Sequence, residues 1–167
     1  MSKLQNMRVV DIPGFRAVSS GAQTLDELFG PQSPFSKWVD GHKGLLKQHI
    51  FEPVDFLWHE NRNIDTSVWA LAINDGVTAE DTQPYEIIDF PGGIFLVATG
   101  NENDPDDLNE TVDCMMNWIN NSEVLEYGDF PQSGMCNMPN PDGKIDGLLG
   151  ISQQQIFLPL KLRAKQV

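Results

Sequence analysis

The sequence predicts an α+β domain of duplicated β-α-β-β halves with pseudo-twofold symmetry, in which a curved antiparallel sheet carries helices on one face. Three observations predict it. The segment Asp11-Ile12-Pro13-Gly14-Phe15-Arg16-Ala17-Val18 returns as Asp89-Phe90-Pro91-Gly92-Gly93-Ile94-Phe95-Leu96-Val97. Each copy runs through a glycine into an acidic helix start, Thr24-Leu25-Asp26-Glu27 in the first case and Asp104-Pro105-Asp106-Asp107 in the second. The period of about 78 residues is too long for a solenoid and fits one domain over 1–167, with repeat halves of about 1–80 and 81–167. Duplications of this kind place a binding cleft at the seam between halves.

Taken in order, Arg8 to Gly21 reads as a strand bent at Pro13-Gly14, because proline donates nothing to a ladder and glycine tolerates the distorted dihedrals beside it. Thr24 to Glu27 fits a capping box, with Gly30-Pro31 ending the helix after barely two turns. Ser33-Pro34 restarts a helix, serine as cap and proline at its first position, and sets Phe35, Trp38, Val39, His42, Leu45 and Leu46 on one stripe. Two β-like runs follow, Val54 to Glu60 and Ser67 to Asn74, joined by the hairpin loop Asn61 to Thr66. After an acidic linker from Asp75 to Gln83, a second bent strand spans Tyr85 to Thr99. Asp104-Pro105 then starts the best-specified helix, with Leu108, Val112, Met115, Met116 and Ile119 at helical spacing. Gly134 to Met138 reads as a strand, Asn140-Pro141-Asp142-Gly143 as a turn, and Gln155 to Leu162 as the closing strand.

Composition bounds the function. A chain of 167 residues with 40% hydrophobic content buries a substantial core. The formal charge of −13, with basic residues scattered except for Lys161, Arg163 and Lys165, argues against direct nucleic-acid binding, which relies on clustered lysine and arginine. The same charge serves solubility, or it meets a basic protein partner. No apolar run approaches the roughly 20 residues that span a bilayer, and Met1 to Met7 is no signal peptide. No membrane association and a cytoplasmic location are therefore expected. Cys114 and Cys136 form neither a disulfide framework nor a zinc spacing and read as reduced thiols.

The order of elements, the bent Asp-x-Pro-Gly start and the ending Gln154-Gln155-Ile156-Phe157-Leu158-Pro159-Leu160 resemble the gyrase-inhibitor-like small-molecule-binding domain. That family includes the effector-binding domains of multidrug-sensing and AraC-type transcription activators. The resemblance covers nearly the whole chain and implies a stand-alone effector module that binds a small molecule. Family members commonly carry a glutamate in the closing strand and another carboxylate in the preceding strand. The matching places here hold Gln155 and the acid-free run Met135-Cys136-Asn137-Met138.

The residues themselves supply candidates. In Val54 to Glu60 the two-residue period puts Val54, Phe56, Trp58 and Glu60 on one face, an aromatic wall ending in a carboxylate, which suits an aromatic or cationic guest. The plainer reading of Trp58 is core, and of Glu60 a solvated strand end. Trp118, Tyr127 and Met138 complete the ligand-binding set from the second half, against the plainer reading of Trp and Met as ordinary core fillers. Trp58, Trp118, Tyr127 and Met138 are expected to stack on and bury the ligand, and Glu60 to orient it. No catalytic residue, metal site or cofactor is expected, since His42, His49 and His59 are dispersed and no nucleophile motif is present. Asp142 to Gly147 lacks the ligand spacing of a calcium loop. The enzyme alternative is a hydrolase of a reactive small molecule using a pocket glutamate, Glu60 or Glu110. A third alternative is an acidic protein–protein inhibitor module. Nothing in the sequence specifies an oligomeric state.

Overall fold

The computed structural model describes residues 5–48, 55–60, 63–139 and 144–164. Its elements are strands β1 (Gln5–Ile12), β2 (Phe15–Ser19), β3 (Asp55–Glu60), β4 (Val68–Ala72), β5 (Glu86–Phe90), β6 (Gly93–Asn101), β7 (Leu125–Tyr127), β8 (Gln132–Asn137) and β9 (Gln153–Leu162). The helices are α1 (Leu25–Phe29), α2 (Pro34–Gly41), α3 (Pro105–Asn121) and α4 (Lys144–Leu149), with a 3-10 turn at Lys43–Leu45. The fold is α+β and its strand pairs are antiparallel.

The chain forms two compact units, one of residues 1–12, 93–130 and 136–167, the other of 13–92 and 131–135. Both use one strand order. In the 13–92 unit it is β5-β2-β4-β3, and in the other β1-β6-β9 followed by the end of β8, Cys136 and Asn137, with β7 also pairing β9. Each Pro-Gly bend therefore does more than kink a strand. The run from Arg8 to Gly21 breaks at Pro13-Gly14 into β1, which pairs β6, and β2, which pairs β4 and β5. The run from Tyr85 breaks likewise into β5 and β6 at Pro91-Gly92. The first strand of each repeat is thus the edge strand of the other repeat's unit.

Local signals account for the helices. Thr24 Oγ1 accepts from the Glu27 amide at 3.3 Å while Glu27 Oε2 accepts from the Thr24 amide at 2.8 Å, closing the capping box at α1. Ser33 Oγ accepts from the Ser36 amide at 3.1 Å, with Pro34 in the first turn of α2. The stripe expected to run through His42 and Leu45 as α-helix instead ends at Gly41 and continues as the 3-10 turn. Two glycines, at 41 and 44, weaken the helix there. Leu45 and Leu46 still pack with Phe35, Trp38, Val18, Leu71 and Ile73 in the unit's core.

In the other unit α3 lies on β6 and β9, burying Met115 and Ile119 against Leu96, Ala98, Ile156 and Leu160. Asp104 caps it, accepting from the Asp107 amide at 3.2 Å, and Asp107 Oδ2 accepts from the Asn101 amide at 2.8 Å. The helix start is thereby tied to the end of β6. Close approach is possible because Gly100 lacks a side chain; a Cβ there would lie 2.8 Å from Leu108 Cδ2. Strand β7 and helix α4 were not expected from the sequence, and β8 and β9 each begin two residues earlier than expected. Val54, Asn61, Arg62, His49, Lys165 and the turn at 140–143 lie outside the described residues. No described helix is long and apolar enough to cross a membrane.

Candidate functional site

Strand alternation gives each unit one sheet face under its helices and one face away from them. In the 13–92 unit, Val18, Leu71, Trp69 and Ile87 belong to the helix-covered side. The opposite face has a floor of small residues: Ala17 pairs with Ala72, Ser19 with Ala70, and Ala70 with Phe56. Over this floor the rings of Phe15, Phe56 and Phe90 converge from three strands. Their centroids are 4.7 Å (Phe15–Phe90), 5.4 Å (Phe56–Phe90) and 5.9 Å (Phe15–Phe56) apart, all stacked. Trp58 stands beside Phe90 at 6.2 Å. It is 1% exposed, and its Nε1 has no hydrogen-bond partner among the described residues. A buried indole N–H ordinarily finds one.

The corresponding face of the other unit, away from α3, has a different character. Phe95, Val97, Phe157 and Pro159 make it apolar, with Phe95 edge-on to Phe157 at 6.4 Å and to Phe130 at 5.4 Å. Across it runs a polar row in strict register, Thr99 on β6 opposite Gln155 on β9, and Gln155 opposite Asn137 on β8. Thr99 and Asn137 are buried, at 5% and 6% exposure, and Gln155 is half-buried. Asn137 Oδ1 has no hydrogen-bond partner, and the Thr99 and Gln155 side chains make none among the described residues. Leaving a buried acceptor unpaired costs about 1–3 kcal/mol. Such a group is retained where water or a guest fills it.

The sequence-derived candidates distribute as follows. Trp58 lies on the aromatic face, and Glu60 ends the same strand exposed to solvent. Trp118 is 37% exposed on α3 and lines a shallow groove of about 450 Å³ with Met7, Cys114, Asn117, Asn121 and Ser122. Neither Tyr127, 43% exposed on β7, nor Met138, just past β8 and half-buried, lines that groove. A second groove of about 380 Å³ sits at the bends of the 13–92 unit, where Arg16, Asp89 and the 3.6 Å Lys47–Asp75 ion pair surround Phe15 and Phe90. Thr99 and Asn137 were missed by sequence reasoning. Gln155 was noticed only as the place of an absent acid. Neither cysteine is in a disulfide.

Charge chemistry lies elsewhere. Asp55 faces the helix side of β3, where its Oδ2 accepts from Trp69 Nε1 at 2.8 Å. Burial pushes its carboxyl above the usual range, and the Trp69 hydrogen bond opposes that shift. Glu60 and Glu110, the carboxylates that a hydrolase would have needed in an apolar cleft, are both exposed. No group of three or more His, Cys, Asp or Glu able to hold a metal ion occurs among the described residues.

No family model matches the chain, and no curated protein matches it in sequence. Solved structures do share the fold. EcmrR, in its complex with DNA within EcmrR-RPo, is similar at a TM-score of 0.62 and 13% identity, covering 96% of this chain and 59% of that one. A hydrolase from Listeria innocua is similar at 0.54 and 10% identity over 94% and 92% of the two chains. SAV2435 bound to tetraphenylphosphonium aligns at 0.49 and 11% identity over 94% of each chain. The present chain thus spans about 59% of the length of EcmrR, and at these identities the likeness is one of fold.

Proposed function

We propose that the protein binds a small, largely apolar or aromatic molecule without transforming it, as a ligand-sensing or sequestering module related to transcription-regulator effector domains. The observation that carries the reading is the uncommitted polar row Thr99–Gln155–Asn137 on a buried apolar sheet face. Pockets for small molecules have this composition, apolar and aromatic walls with a few placed polar groups. The aromatic face of the other unit supports it independently, because Trp58 combines a large stacking surface with an unpaired N–H. The fold shared with EcmrR over 96% of this chain fits a regulator-type module.

Intrinsic tryptophan fluorescence and thermal unfolding, followed against neutral aromatics, lipophilic cations and organic acids at low and high salt, test the proposal. Saturable binding with a raised melting temperature is expected, because a ligand that binds only the native state stabilises it. Asn137→Ala and Trp58→Ala variants that bind every ligand as tightly as the parent would remove, respectively, the polar row and the aromatic face from the site. The charge of −13 favours one second reading, an acidic module that captures a basic protein. Its binding would weaken steeply with salt, whereas burial in an apolar site would scarcely change.

A further inference from the structure

Resting on the reading above, we infer that the Thr99–Gln155–Asn137 row selects an uncharged ligand through an amide-type edge, a carboxamide, lactam or imide that donates one hydrogen bond and accepts another. Gln155 and Asn137 are direct cross-strand partners, so their side chains start about 5 Å apart on one face. Each primary amide offers an acceptor oxygen and two donor hydrogens. Side by side, two amides present the complement of a ligand amide edge. The Asn137 oxygen, buried and unpartnered, requires a donor from the guest, and the half-buried Gln155 amide is placed to return one.

The row itself carries no charge. Positions 95, 97 and 99 on β6, 155, 157 and 159 on β9, and 137 on β8 share this face, and none is ionisable; the charged groups on the same face are Arg8, opposite Val97 on β1, and Lys161, opposite Glu126 and two residues past Pro159, with Arg8 and Lys161 both exposed. A cation lodged at the row would lose its hydration beside uncharged groups, with Arg8, itself a cation, opposite Val97, and an anion would meet only the exposed Arg8 and Lys161 against the negative field of the whole chain. A flat ring system would pack on Val97, Phe157 and Phe95, which are buried beside the row, and would enter past the half-buried Gln155.

Three bicyclic probes of nearly equal size test this by calorimetric titration: quinolin-2-one, with the complete lactam edge; 1-methylquinolin-2-one, which keeps the carbonyl and loses the donor; and N-methylquinolinium, a cation. Quinolin-2-one is expected to bind about tenfold or more tighter than either of the others, as sites built to hydrogen-bond a group reject the analogue lacking it. Asn137→Ala and the half-exposed Gln155→Leu should erase that preference. Gln155→Glu, which places a carboxylate beside the aromatic walls, should bind N-methylquinolinium about tenfold more tightly than the parent does. If the parent binds the methylated or cationic probe as well as the lactam, and Asn137→Ala weakens all three alike, edge recognition is overturned while the sheet-face site stands. If no probe binds, or Asn137→Ala leaves binding unchanged, the site itself is wrong and this inference falls with it.

Discussion

Asp55 and Asn137 show how differently two buried polar groups behave. Asp55 has a donor in Trp69, yet burial raises its carboxyl above the unfolded value. The sign follows from proton linkage: the native state holds its proton more tightly, so the penalty is absent below the unfolded value and develops in full as pH rises past the folded one. Asp55→Asn, which keeps an oxygen for Trp69, should therefore raise the melting temperature near neutral pH by a few degrees, with the gain fading toward about pH 4. Paired melts at the two pH values check it. Glu27 and Asp81 run the other way. Their carboxyls are held low by hydrogen bonds from Thr24 and Thr78, so whatever they contribute is present at neutral pH and lost on acidification. Gly134 offers a steric counterpart on β8. Its φ of +60° disfavours any side chain, and a Cβ would meet the His59 ring at 2.8 Å. Gly134→Ala should cost about 1–3 kcal/mol in denaturant unfolding. A neutral result would mean that the ring moves aside freely.

Among the elements, α3 was the most legible. Its Asp-Pro start, acidic first turn and apolar stripe all appear in the sequence, and the structure adds only how the start is fastened. Asp104→Ala removes a cap and should cost about 1 kcal/mol. Asp107→Ala also strips the Asn101 amide of its acceptor and should cost about 2–3 kcal/mol. Urea titrations with an unchanged slope would confirm that both act on stability and leave compactness alone. Strand β7 was invisible because three residues, Leu125-Glu126-Tyr127, carry no period. It exists through its pairing with Leu160, Lys161 and Leu162 on β9. The polar row was hidden for a related reason. Thr99, Asn137 and Gln155 are separated along the chain by whole elements and become neighbours only through the β6–β9 and β8–β9 registers. That Trp58 shares a face with Phe56 was legible because alternation within one strand is a local signal. Its unpaired N–H was not, since that depends on what surrounds the ring.

For the molecule as a whole, the repeated Pro-Gly segment correctly announced a duplication, and the two units do share one strand order. What a linear repeat could not reveal is that each unit takes its edge strand from the other copy. The charge of −13 makes a second molecular prediction. Self-repulsion of so many carboxylates lowers native stability, and added salt screens it within a Debye length of about 10 Å at 0.1 M. The melting temperature should therefore climb by a few degrees between very low and moderate salt. A flat response would indicate that the acidic groups are already spaced widely enough not to oppose one another.

The exchanged edge strand also sets a timetable for biosynthesis. During translation β1 is made well before its partner β6, which leaves the ribosome only after some 80 further residues, by which point nearly all of the 13–92 unit is available to fold. In that interval β1 is a nascent strand with no place to dock. Its own features suit the wait: Asn6 adopts a left-handed φ of 53° at a register irregularity between Gln5 and Arg8, and Arg8 and Asp11 are exposed. Irregularities and charges of this sort discourage pairing with stray strands. Strand β1 is thereby shielded from wrong partners until the one that completes it has been synthesised.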